Sequence, residues 1–219
     1  MCNLYSIRKG PAAILDLALA MQNDAGNLEG GDVYPDYAAP IVRTNEKGDR
    51  ILATARWGMP SPAFALEGRK TDRGVTNIRN TRSPHWRRWL GPENRCLVPL
   101  TAFSEPGRDA QGRHEPVWFR LRGEDPEPLA FFAGIWTPKW TSVRKVKEGL
   151  VTADLFAFLT CEPSAEVAAV HPKAMPVILT EPGEHELWMT APWERAAALQ
   201  RPLADGALRP FRPPARPQA

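Results

Sequence analysis

The sequence predicts a single α+β domain in which sheet dominates and the helices are few and short. Short runs rich in β-branched and aromatic residues recur between Gly/Pro turns, the pattern of strands rather than helices. The 23 prolines are spread through those turns, which argues against a helical bundle. A length of 219 residues is enough for one substantial core, and 43% hydrophobic with 24% charged residues is an ordinary globular balance.

Taken in order, Pro11 to Met21 (PAAILDLALAM) has helical composition, with Ile14, Leu15, Leu17, Ala18 and Leu19 offering an apolar face. The Gly- and Asp-rich stretch Asn23 to Asp32 breaks that pattern. Ile51 to Trp57 reads as a strand entering a Gly58-Met59-Pro60 turn. Five further strands are expected at Cys96 to Val98, Val117 to Leu121, Leu129 to Trp136, Leu155 to Thr160 and Val177 to Thr180. Glu184 to Met189 and Pro192 to Leu199 read as short helices, the second with its proline suited to the first turn. From Arg209 the sequence RPFRPPARPQA supports neither helix nor central strand. The expected division is therefore a domain over residues 1–208 and a mobile Pro/Arg-rich tail over 209–219, with no internal repeat and no interdomain linker.

Net charge is only +3, but it is unevenly placed. Arg69, Lys70, Arg73, Arg79, Arg82, Arg87, Arg88 and Arg95 are opposed in that interval only by Asp72 and Glu93. Such a cluster attracts phosphate, although on charge alone a solvated arginine face explains it equally well. Neither a leader with a charged start and apolar run nor an 18-residue apolar segment occurs, so a cytoplasmic protein without a membrane segment is expected. The three cysteines, Cys2, Cys96 and Cys161, are far apart and suggest neither a zinc site nor a disulfide framework. His85, His114, His171 and His185 are dispersed as well, so no metal or organic cofactor is expected.

Cys2 is the residue with the most distinctive chemistry. Removal of Met1 places an α-amine and a thiol on one residue. The amine can condense with an aldehyde to an imine, and the thiol can then close a five-membered thiazolidine. Unperturbed amine and thiol titrate at about 7.7–8.0 and about 8.5, so a minority of each is nucleophilic near neutrality. A cysteine at position 2, taken alone, is more often just an early residue.

Other segments change that balance: Trp57-Gly58-Met59-Pro60; Asn77-Ile78-Arg79; Cys96-Leu97-Val98-Pro99 leading to Phe103-Ser104-Glu105; Ala133-Gly134-Ile135-Trp136; and His171 ahead of Met175-Pro176. In this order, behind Met1-Cys2, they resemble the SRAP family (SOS-response-associated peptidase), whose members crosslink covalently to abasic DNA. The resemblance runs from residue 1 to about residue 193.

It implies a twisted, partly barrel-like mixed β-sheet with a groove crossing the Cys2 end. It also implies a monomer whose partner is single-stranded DNA containing abasic sites. Cys2 would be the crosslinking nucleophile, with Asn77 holding Cys2 and the deoxyribose in register. Glu105 would exchange protons during ring opening and imine formation, and His171 would assist at the sugar hydroxyl. Arg79, Arg82 and Lys173 would bind flanking phosphates, while Trp57, Gly58 and Met59 would offer an apolar surface to a neighbouring base. Associated lyase and self-processing peptidase activities are further expectations of the resemblance.

The chain departs from the family pattern at Asn3-Leu4, where Gly-Arg is usual, at Asp36-Tyr37, at Asn80, at Pro106 and at Lys173. Two other readings of the residues stand beside it. One is an N-terminal cysteine amidohydrolase with His171 as base, and the other is a non-catalytic single-strand binder using the arginines and tryptophans.

Overall fold

The computed structural model describes residues 2–108 and 111–213. Its strands are β1 (Leu4–Ile7), β2 (Gln22–Asn23), β3 (Gly31–Val33), β4 (Ala38–Thr44), β5 (Arg50–Trp57), β6 (Asn77–Ile78) and β7 (Arg95–Leu100). They continue as β8 (Ala102–Arg108), β9 (His114–Leu121), β10 (Ala130–Val143), β11 (Leu150–Cys161), β12 (Met175–Pro176), β13 (Ile178–Leu179) and β14 (Leu208–Phe211). The helices are α1 (Pro11–Ala18), α2 (Ala63–Leu66), α3 (Ala165–Ala168), α4 (Pro182–Thr190) and α5 (Trp193–Ala196).

The expected α+β, partly barrel-like architecture is present. β5, β4, β7, β10 and β11 are antiparallel neighbours in that order. β11 then closes the ring by pairing parallel to β5 through Leu155↔Arg56 and Phe156↔Trp57. The result is a closed, mixed five-stranded barrel, which leaves no free edge around the ring. A second sheet, in the order β14-β9-β8-β1-β3, packs against it. Tyr5 of β1 meets Trp57 and Phe132 edge-on at 5.2 and 5.4 Å, and Phe103 of β8 meets Phe132 at 6.3 Å. These rings join barrel and second sheet into one core, with Phe132 stacked on Phe158 at 4.3 Å.

Several boundaries differ from expectation. The first helix stops at Ala18 because Leu19 turns left-handed (φ 51°), and Met21 then bonds the Arg50 carbonyl at the barrel edge. β10 runs past Trp136, with a bulge between Thr137 and Trp140 that accommodates Pro138. Arg209, Pro210 and Phe211, expected in the mobile tail, belong to β14 and pair with β9. β14 is an edge strand, which tolerates a proline because its other side has no ladder to complete. Residues 214–219 of the expected tail lie outside the described residues.

The Arg-rich segment is not one surface. Arg95 is fully buried, donates to the Ala191 carbonyl and lies over the Trp188 ring at 5.4 Å. Burial lowers its pKa to about 10. No helix among the described residues is long and apolar enough to cross a membrane.

Candidate functional site

β1 and β8 run antiparallel with Leu4 opposite Ser104, so the chain ahead of Leu4 lies beside Glu105. Cys2 is fully buried there, its Sγ 3.5 Å from the Leu4 carbonyl. Burial pushes the thiol pKa far up, and the Glu105 charge pushes it further. The thiol is therefore held as S–H near neutrality.

Asn77 reaches Cys2 from β6, a two-residue strand set parallel to β11 with Asn77 opposite Phe158. Its Nδ2 donates to the Cys2 carbonyl at 2.8 Å and to Thr76 Oγ1 at 2.9 Å. The Asn77 side chain is buried, and its Oδ1 accepts no hydrogen bond among the described residues.

Glu105 is buried at the centre of β8, and burial raises its carboxyl pKa above the usual carboxylate range while His171 pulls it partway back. His171 Nδ1 stands 3.4 Å from Glu105 Oε2 and 2.9 Å from the Ala174 carbonyl. A carbonyl can only accept, so the Nδ1 facing it carries a proton. The His171 main chain is placed from both sides. Its backbone N–H bonds the Val167 carbonyl at 2.7 Å, and β12, just beyond, pairs with Thr160 and Cys161 of β11.

Four residues expected to act together, Cys2, Asn77, Glu105 and His171, thus converge from the segment ahead of β1, from β6, from β8 and from the loop after α3. The set contains a buried acid of raised pKa, an imidazole against it, and an amide gripping the Cys2 backbone. It can move protons at a small electrophile and hold that electrophile over Cys2.

The residues expected to face DNA divide into two groups. Arg79 lies at the rim, paired with Glu162, with Nη1 3.4 Å from the Lys173 carbonyl. Lys173 and Arg82 are exposed beside it. Trp57, Gly58 and Met59 are a correction: all three are buried, and Trp57 and Met59 have no exposed surface to offer a base. The reason is their place at the end of β5, where the barrel closes. Trp57 stacks on Phe158 at 5.2 Å and its indole N–H donates to the Thr76 carbonyl at 3.0 Å. It supports Asn77 from below.

Sequence reasoning missed Gln200, Glu162 and Arg201, which line a surface groove with Arg79 and Arg82. Gln200 Nε2 bonds the carbonyls of Arg79 and Thr160, each at 2.9 Å, tying the loop after Asn77 to β11. No spacing in the sequence marks a glutamine 121 residues away as a support for Arg79.

The model of the SOS response associated peptidase (SRAP) family matches residues 1–212. Among solved structures, a Bordetella bronchiseptica protein superposes with TM-score 0.69 at 24% identity, covering 95% of this chain and 98% of that one. A Bacteroides thetaiotaomicron protein gives TM-score 0.69 at 18% identity, covering 96% and 91%. A phage-related protein from Bordetella bronchiseptica gives 0.66 at 19% identity, covering 96% and 93%. These three show that the fold is shared. No curated protein matches the chain.

Proposed function

We propose that this chain, which belongs to the SOS response associated peptidase family, captures the aldehyde of an abasic site in single-stranded DNA through Cys2. The observation that carries the reading is the convergence of Asn77, Glu105 and His171 on Cys2.

The reaction starts from a closed sugar hemiacetal. Ring opening breaks the bond from C1′ to the ring oxygen. One proton leaves the C1′ hydroxyl and one reaches the ring oxygen. Glu105 carries protons in this step because burial keeps its carboxyl protonated to a higher pH than usual. His171, through Nε2, serves the sugar hydroxyl. The Cys2 amine, free once Met1 is removed, adds to C1′ and expels water as the imine forms. The Cys2 S–H then adds across the C=N bond: sulfur bonds C1′, nitrogen receives the proton, and the thiazolidine is complete. The same imine can instead give up a C2′ proton to a base and expel the 3′ phosphate, leaving a C2′=C3′ double bond, which is the lyase side reaction.

Amine-first capture needs no standing thiolate, which suits a thiol whose pKa burial raises. Arg79, Arg82 and Lys173 on the rim would hold the flanking phosphates.

The test is a denaturing gel with abasic single-stranded DNA, comparing the Cys2-exposed protein with Cys2→Ala. A heat-stable band requiring both Cys2 and the abasic site is expected. Cys2→Ala keeps an N-terminal amine and forms only a labile imine, so its band should vanish on heating. No adduct from the Cys2-exposed protein would overturn the reading.

A further inference from the structure

We infer that Arg144 is a positioning residue for the site, fixing the segment that carries Asn77 and with it the grip on Cys2. Its effect on crosslinking rests on the function proposed above; its effect on Asn77 does not.

Arg144 follows β10 directly, and its side chain is only 2% exposed. Nε donates to Asp36 Oδ1 at 3.0 Å, and Nη1 donates to the Gly58 carbonyl at 3.1 Å. Asp36 is a firm anchor. Arg56 donates to it twice at 2.6 Å, and Lys145 stands at 2.9 Å. Against the opposing effect of burial, these cations hold the Asp36 carboxyl at about 2, so the anchor is charged throughout the neutral range.

The guanidinium fills space that two glycines leave. Gly58 (φ 140°) and Gly74 (φ 76°) adopt backbone angles that side chains disfavour, and a Cβ on Gly74 would lie 2.5 Å from Arg144 Nη1. Arg144 thus packs the turn after β5 against the start of the segment from Gly74 to Asn77. The remaining links are all hydrogen bonds. Met59 and Val75 exchange both backbone bonds, at 2.9 and 2.8 Å. Trp57 Nε1 holds the Thr76 carbonyl, and Asn77 Nδ2 holds the Cys2 carbonyl. An apolar side chain of similar volume could fill this space at lower desolvation cost. A planar fork that takes one carboxylate and one carbonyl fixes direction as well as volume.

The experiment measures single-turnover crosslinking and hydrogen exchange of Val75 to Asn77 in wild type, Arg144→Ala and Arg144→Lys. For Arg144→Ala, the maximal rate should fall about tenfold or more while half-saturating DNA stays within about twofold, the signature of lost orientation. Exchange at Val75 to Asn77 should accelerate without matching acceleration in β7. Guanidinium ion at a non-denaturing concentration should restore the Arg144→Ala rate and leave wild type unchanged. Arg144→Lys keeps the charge without the fork, so it should show the same exchange change; it also serves if the alanine variant fails to fold.

Wild-type rate and exchange in both variants would overturn the inference. So would acceleration spread evenly over the barrel with no guanidinium rescue. If wild type itself forms no crosslink, the proposed function fails, while exchange at Val75 to Asn77 still decides the role of Arg144.

Discussion

Asn77→Ala separates the chemistry of the site from its stability. The backbone at Asn77 is held independently, by parallel pairing with β11 and by the Trp57 bond to Thr76, so the substitution removes little beyond the amide. Two bonds are lost. Thr76 is half-buried and its hydroxyl can turn to water, whereas the Cys2 carbonyl loses its Asn77 donor in a buried setting. A neutral buried hydrogen bond contributes about 0.5–1.5 kcal/mol net, and a stranded carbonyl adds about 1–3 kcal/mol. Cys2 precedes the first residue of β1 and can shift towards water, which limits the second contribution. A loss of about 1–2 kcal/mol follows, or roughly 2–8 °C in Tm for a chain of this size.

The rate should suffer more. A displacement of about 1 Å at a reacting group can cost about 10²-fold. Thermal melts combined with single-turnover crosslinking to abasic single-stranded DNA provide the assay. A Tm loss of the calculated size with a rate within about threefold of wild type would refute the reasoning, leaving Asn77 as a tether only.

Two other substitutions test the remaining charges. Glu105→Gln should slow crosslinking by about 10²–10⁴-fold, the usual worth of a general acid–base group. Because the folded Glu105 pKa is raised, the folded chain holds a proton that the unfolded chain has released. Its stabilising contribution is full below the unfolded pKa and is lost as pH rises through the folded one. Glutamine stays neutral, so the variant's stability relative to wild type should increase with pH, as read by denaturant melts across pH 4 to 8; a difference independent of pH would show that the carboxyl does not titrate as argued. Glu162→Gln removes the acid paired with Arg79 at the groove rim and should tighten single-strand binding by about two- to fivefold, steepening its salt dependence by about one phosphate contact. Weaker binding in fluorescence anisotropy would exclude Arg79 as a phosphate contact.

Much of the site was legible in the chain because its chemistry is carried by residue identity and order. Cys2 is distinctive by position, and Asn77, Glu105 and His171 sit in short motifs whose order marks the family. The strands with strong local β character were legible for the same reason, since alternation and turn residues act over a few positions. Leu4–Ile7 and Ala38–Thr44 form strands through their partners, with β4 between β5 and β7 and β1 between β3 and β8. Local pattern does not name such partners.

The sequence by itself determined which groups are available: a potential amine–thiol nucleophile, an acid, an imidazole, an amide and a set of guanidinium groups. Only the tertiary structure decided where each one stands. Closing β11 onto β5 buries Trp57 and Met59 and removes them from any DNA surface. The β1–β8 register brings Cys2 beside Glu105, while the turn after β10 delivers Arg144 beneath Gly58 and Gly74. Burial and pairing are properties of contacts between residues distant in the chain. They set the thiol and carboxyl pKa values and decide whether an arginine stands in water, as Arg82 does, or in the core, as Arg95 and Arg144 do.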